Sequence, residues 1–126
     1  MQDCPSYVVE FKINEGNKTV ERIWDSNIEG EADVISTAMG RVGEIPGTGN
    51  ILAGYGAIVS KKGNEELSWF NRMNATRWTM VREFTYTSPA NIVWEMRLYP
   101  KTEDSKVNWT IFGADRIEFN NVSKME

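Results

Sequence analysis

An arginine set among aromatic rings is the feature of this chain with the most chemical content. In WTMVREFTYT (Trp78 to Thr87), period-two alternation places Arg82 on the same face as Trp78, Met80, Phe84 and Tyr86. A guanidinium buried among rings needs an acceptor. A ligand carboxylate would serve, and so would a protein carboxylate or an outward twist at the rim of the sheet. The wider aromatic set comprises Trp24, Trp69, Trp78, Trp94 and Trp109, joined by Tyr55, Phe84, Tyr86, Tyr99 and Phe112. Four of the five Trp fall in the C-terminal half, on consecutive expected strands, where antiparallel neighbours set indoles side by side. The sequence therefore nominates Trp69, Trp78, Arg82, Tyr86, Trp94 and Trp109 as the lining of a site for a small apolar or amphipathic ligand. The rings would form its walls and Arg82 would orient an anionic end. The plainer reading is that the same rings fill a solid core.

Other chemistries find less support. The carboxylates Glu83 and Glu95 lie on polar faces of expected neighbouring strands, and a flanking pair of this kind could hydrolyse a glycosidic bond. Alternation, however, puts Glu95 beside Arg97 on one face, for which solvent is the simplest host. The chain has no histidine and a single cysteine, Cys4. Ser-His-Asp and Cys-His arrangements, His-ligated metals, cysteine-built zinc sites and intrachain disulfides are thereby excluded, and no metal or cofactor is expected. GEIPGTGN (Gly43 to Asn50) is glycine-rich, but no Lys-Ser/Thr follows and no helix opens there, so its glycines read as turn and bulge residues rather than a phosphate cradle.

A net charge of −4 with a pI near 5.0 leaves no general basic footprint for nucleic acid; Lys61-Lys62 and the scattered Arg72, Arg77 and Arg82 are the only candidates for a local one. The start, MQDCPSYVVE, lacks the basic and apolar regions of a signal peptide, and no apolar run approaches a membrane span. A cytoplasmic placement is the default expectation. Asn-x-Ser/Thr triplets at Asn17, Asn74, Asn108 and Asn121 would be glycosylation acceptors only in a secreted chain, and Asn108 lies inside an expected strand.

The elements that must position these residues are strands. With 126 residues the chain is expected to form one domain, 1–126. Tyr7, Val9, Phe11 and Ile13 alternate with Glu10 and Lys12, Glu15-Gly16-Asn17 turns, and Val20 to Trp24 returns as the second arm of a hairpin. Asp33 to Gly43 fits both a helix, with Asp33 as N-cap and Gly43 beyond the C-terminus, and a strand, to which its β-branched residues lean. Further strands are expected at Ile51 to Ser60, bent at Gly54 and Gly56, at Leu67 to Met73 and Trp78 to Thr87, and as a pair within Asn91 to Phe112 around a short polar connection, the first carrying the apolar row Ile92, Trp94, Met96 and Leu98 that lines a cavity or fills a core. A last strand, Asp115 to Val122, would carry Ile117 and Phe119 inward. Eight or nine strands with short turns and no convincing long helix predict an all-β protein. An antiparallel up-and-down barrel of about eight strands covers its edges most economically, with a sandwich as the alternative.

GNILAGYGAIVSKKGNEELSW and NIVWEMRLYPKTEDSKV resemble strand pairs of calycin-like β-barrels, over somewhat more than half the chain. The Gly-x-Trp of lipocalins occurs around none of the five Trp. WEMRLYPKTEDSKVNWTIFG is also similar to the late strand pair of helix-grip ligand-binding proteins, although ADRIEFNNVSKME is too short and too β-like for their C-terminal helix. Both resemblances imply an apolar small ligand. Two other functions stand beside that one. A solid barrel with exposed aromatics such as Phe70 and Phe112 would serve as a protein-interaction module or homodimer. An isomerase or cyclase using Tyr, Glu and Arg would need a constellation that the sequence does not specify.

Overall fold

The computed structural model describes residues 5–31, 34–59, 76–101 and 108–117. Within them the protein is all-β: β1 (Val9–Asn14), β2 (Thr19–Asp25), β3 (Gly40–Glu44), β4 (Ile51–Val59), β5 (Arg77–Phe84) and β6 (Ile92–Leu98). β1 and β2 form a two-stranded antiparallel sheet, while β3-β4-β5-β6 form a four-stranded antiparallel meander. The two sheets do not show the closed eight-stranded barrel that the strand count suggested. The expected strand Leu67 to Met73, with Trp69, lies outside the described residues, as does Phe119.

The β1–β2 turn is built by side-chain amides that mimic backbone turns. Asn14 Oδ1 accepts from the Gly16 and Asn17 N–H groups, Asn17 Oδ1 accepts from Thr19, and Lys18 takes the left-handed conformation with φ 56°. In the ambiguous Asp33 to Gly43 segment the outcome is a short strand from Gly40 onward and no helix among the described residues. Before it, Ser36 makes an isolated bridge to Ile58.

The central strands β4 and β5 are covered on both faces, which explains why β4 reads as the nearly unbroken apolar run ILAGYGAIV rather than as an alternation. On one face Ala53, Tyr55, Ile58, Met80 and Phe84 pack with Trp24, against which Val8, Ile28 and Val34 close. On the other, Leu52 and Val81 pack with Ile45 beneath Ile111 and Ala114. The segment 108–117 was expected to supply strands; it carries none, but crosses this second face as an extended strap. Trp109 N–H donates to the Arg77 carbonyl and Ile111 N–H to the Gly56 carbonyl. Ile117, expected inside, is 72% exposed at the end of the strap.

Gly56 sits in a bulge where the β4–β5 register slips between Tyr55 and Ile58. A bulge frees backbone groups that must find other partners. Here Gly56 N–H donates to the Met39 carbonyl and the Ala57 carbonyl accepts from Thr37 N–H. Ala57 N–H donates to Ser36 Oγ, and Thr79 Oγ1 donates to the Tyr55 carbonyl at 2.8 Å. The bulge thereby stitches β4 to the segment before β3 and to the strap at once.

Candidate functional site

The β5–β6 register decides which nominated residues can meet. Arg82 pairs with Glu95, Val81 with Met96 and Glu83 with Trp94. Directly opposed residues share a face. Arg82, Glu95 and Arg97 are therefore on one side of the sheet, and Val81, Glu83, Trp94 and Met96 on the other. The slip between Glu83 and Phe84 also splits the apolar row of β6, since Ile92 pairs with Phe84 and joins the first core cluster.

On the first side the acceptor for Arg82 is a protein carboxylate. Arg82, with its side chain 8% exposed, donates through Nε to Glu95 Oε2, and its Nη2 lies 3.4 Å from Glu31 Oε2. Arg97 donates to the other Glu95 oxygen and lies over the Trp78 ring, which stacks on Tyr99 at 4.7 Å. Burial opposes ionisation of Glu95, but the hydrogen bonds and charges of Arg97 and Arg82 outweigh it and hold the carboxyl below its usual range. Next to Arg82 a cavity of about 20 Å³ is lined by Ser6, Ser26, Glu31 and Tyr55, room for little more than a water. Burial pushes the Tyr55 phenol up, against the hydrogen bond to Ser26 and the charge of Arg82, so it stays protonated and is no phenolate nucleophile. This is an ion-pair cluster with Arg82 buried at its centre and Arg97 and Glu31 at the surface, and the cavity beside Arg82 is too small for a ligand.

On the second side is a groove of about 410 Å³ between the sheet and the strap, lined by Leu52, Val81, Glu83, Trp94, Met96, Ala114, Asp115 and Arg116. Its volume lies within the usual range for small-molecule sites, about 300–1,000 Å³. Trp94 and Met96 are 47% and 39% exposed, so they wall an open groove rather than fill a core. At one end the buried Glu83 carboxylate accepts a 2.7 Å hydrogen bond from Asn50 Nδ2 and lies 3.6 Å from Arg116 Nη1, at the solvent edge. Asp115 is turned to Arg41 at 2.8 Å. Among the described residues no group of three or more His, Cys, Asp or Glu is placed to hold a metal.

The nominated residues thus separate. Trp78 and Arg82 belong to the first side and Trp94 to the second. Tyr86, past the end of β5 and 48% exposed, lies 5.5 Å from the Trp24 ring and donates to Glu10. Trp109 stands on the strap, half exposed. Glu83 and Glu95 project from opposite faces and cannot act as a carboxylate pair. Arg116, and Glu83 as a groove residue, were missed by sequence reasoning, whereas Trp94 and Met96 belong to the apolar row Ile92, Trp94, Met96, Leu98 whose alternation posed the question of a cavity. Glu83 reaches the groove through the parity offset across β5 and β6, which pairs the odd residues of one strand with the even residues of the other and is not readable from either strand alone. Nothing in the sequence pointed to Arg116, which the strap delivers from a distance.

A family model for arylsulfotransferases (ASST) matches residues 1–97, more than three quarters of the 126-residue chain. The chain belongs to the arylsulfotransferase family. No curated protein and no solved structure matches it. The arylsulfotransferase match takes in β1 to β5 and nearly all of β6, and so includes Leu52, Val81, Glu83, Trp94 and Met96 of the groove. The strap residues Ala114, Asp115 and Arg116 lie beyond it.

Proposed function

We propose that the groove between the sheet and the strap binds a small amphipathic aryl compound, with an aryl sulfate or the corresponding phenol as the class. The observation that carries this reading is the exposed Trp94 and Met96 wall sharing one face with the Glu83–Arg116 pair. The family name supplies the chemistry to which such a wall would answer, an aromatic ring bearing a sulfate. Trp94 offers a ring face for stacking, and Leu52, Val81 and Met96 exclude water from the aryl edge. Arg116, on a strap and half exposed, is free enough in position to meet sulfate oxygens by charge-assisted hydrogen bonds. Glu83 is an acceptor suited to a phenolic hydroxyl and repels a sulfate placed wrongly, which would set the direction in which the ligand lies.

Titration with phenyl sulfate and with phenol, followed by tryptophan emission and calorimetry, tests the reading. Saturable binding is expected in the millimolar range or tighter. Trp94→Ala should weaken both ligands by about tenfold, the loss of one aromatic contact. Arg116→Gln should weaken phenyl sulfate and spare phenol. Absence of saturable binding, or equal affinity in the wild-type and Trp94→Ala proteins, would refute the assignment.

A further inference from the structure

Among the described residues the β1–β2 hairpin is a sparsely covered pair of strands. Phe11, Ile13 and Val20 are 56%, 69% and 63% exposed, and among the described residues β1 has no strand neighbour besides β2. Two strands alone are marginally stable in water, and an open, regular, apolar edge is a template for another strand. β1 is the regular member of the pair. Where the register slips, Glu10 pairs with Trp24 and Phe11 with Arg22, so the extra residue is Ile23 of β2.

The sequence of β1 says what would fit that edge. Val9-Glu10-Phe11-Lys12-Ile13 is its own antiparallel complement. A second copy laid along it, with a two-fold axis through Phe11, sets Glu10 opposite the partner's Lys12 and Lys12 opposite the partner's Glu10. Val9 then meets the partner's Ile13, and the two Phe11 rings meet at the axis. A two-fold perpendicular to the sheet keeps like faces together, so the charges pair on one side and the apolar residues on the other. Tyr86 already holds the Glu10 carboxylate by a hydrogen bond. β2 has no such symmetry, since a two-fold through Arg22 sets Glu21 against Ile23.

We propose that two copies of the chain associate edge to edge through β1, making one continuous four-stranded antiparallel sheet in the order β2-β1-β1-β2. The contact is independent of the aryl groove, which lies on the far face of the meander from Trp24. The extension completes a sheet wide enough to be stable and removes the Phe11 and Ile13 edge from water.

Charge exchange followed by sedimentation tests it. The wild-type protein should show a concentration-dependent monomer–dimer equilibrium. Glu10→Lys makes the edge wholly basic and Lys12→Glu makes it wholly acidic, and each alone should raise the dimer dissociation constant by about tenfold or more. Both positions are exposed, so far-ultraviolet circular dichroism should be unchanged. Mixing the two variants should restore association as a heterodimer, because the basic edge then faces the acidic one. A wild-type protein that stays monomeric into the high micromolar range overturns the proposal. So does a dimer indifferent to either exchange, or a mixture that fails to re-associate.

Discussion

Glu95→Gln is expected to destabilise the protein by about 3 kcal/mol, because it leaves a buried guanidinium without its principal counter-charge. Arg82 is 8% exposed in its side chain and its remaining carboxylate, Glu31, lies at 3.4 Å, the looser of the two pairs. The reverse truncation is expected to be milder. Arg82→Met replaces the guanidinium by an apolar side chain of similar length beside Met80 and Phe84, and Glu95 keeps Arg97 and partial access to water. Its cost should stay below about 1.5 kcal/mol. Urea denaturation of the three proteins measures both values. Equal losses in the two variants would mean that the pair is not what holds β5 to β6 at this point.

The same site gives a pH dependence with a defined sign. The folded protein holds the Glu95 carboxyl below its ordinary value of 4.5. The stabilisation is complete above that value and is lost as pH falls through the lower, folded value. Gln is a standing imitation of the protonated acid, so the gap between wild type and Glu95→Gln should be widest at neutral pH and narrow steadily below about pH 4.5. A gap constant from neutral pH to pH 3 would show that the carboxylate is not held ionised by its arginines.

β1 was legible in the sequence because its polar and apolar residues stand in strict turn, and β2, β5 and β6 because they alternate over part of their length between turn residues. β4 was recognised as a strand through its bend at Gly54 and Gly56, although its unbroken apolar run could not reveal that both of its faces are covered. The need of Arg82 for an acceptor was also legible, since burial of a guanidinium allows few solutions. Which solution holds was not, because Glu95 and Arg82 meet only through a register fixed by a bulge at Glu83 and Phe84. That same bulge divided the tryptophans between two faces. A one-residue slip moves every side chain across the sheet, and period-two reasoning within single strands carries no information about it. The segment 108–117 misled for a related reason. Its alternation suits any extended chain lying on an apolar surface, whether hydrogen-bonded beside a strand or laid across a sheet as this strap is.

Gly56→Ala is expected to have a comparable effect, about 3 kcal/mol, through backbone crowding rather than charge. A Cβ built on Gly56 would lie 2.5 Å from the Ile111 carbonyl oxygen, 2.6 Å from Met39 Cβ and 2.9 Å from the Ala38 carbonyl oxygen. Two of these three are backbone atoms, so no side-chain rotation relieves the clash. Relief requires the strap to lift from the sheet or the segment before β3 to withdraw, and either movement breaks a hydrogen bond of the bulge, from Ile111 N–H or to the Met39 carbonyl. The strap also closes one wall of the groove, so the variant should lose phenyl sulfate binding even under conditions where it remains folded. Gly43→Ala is the matched control. Gly43 has nothing within 4 Å of an added Cβ and no left-handed backbone, so alanine there should be neutral or stabilise by up to about 1 kcal/mol. Thermal denaturation of the two variants distinguishes close approach at Gly56 from a general intolerance of alanine in this sheet. A Gly56→Ala protein as stable as the wild type would mean that the strap is not seated on β4.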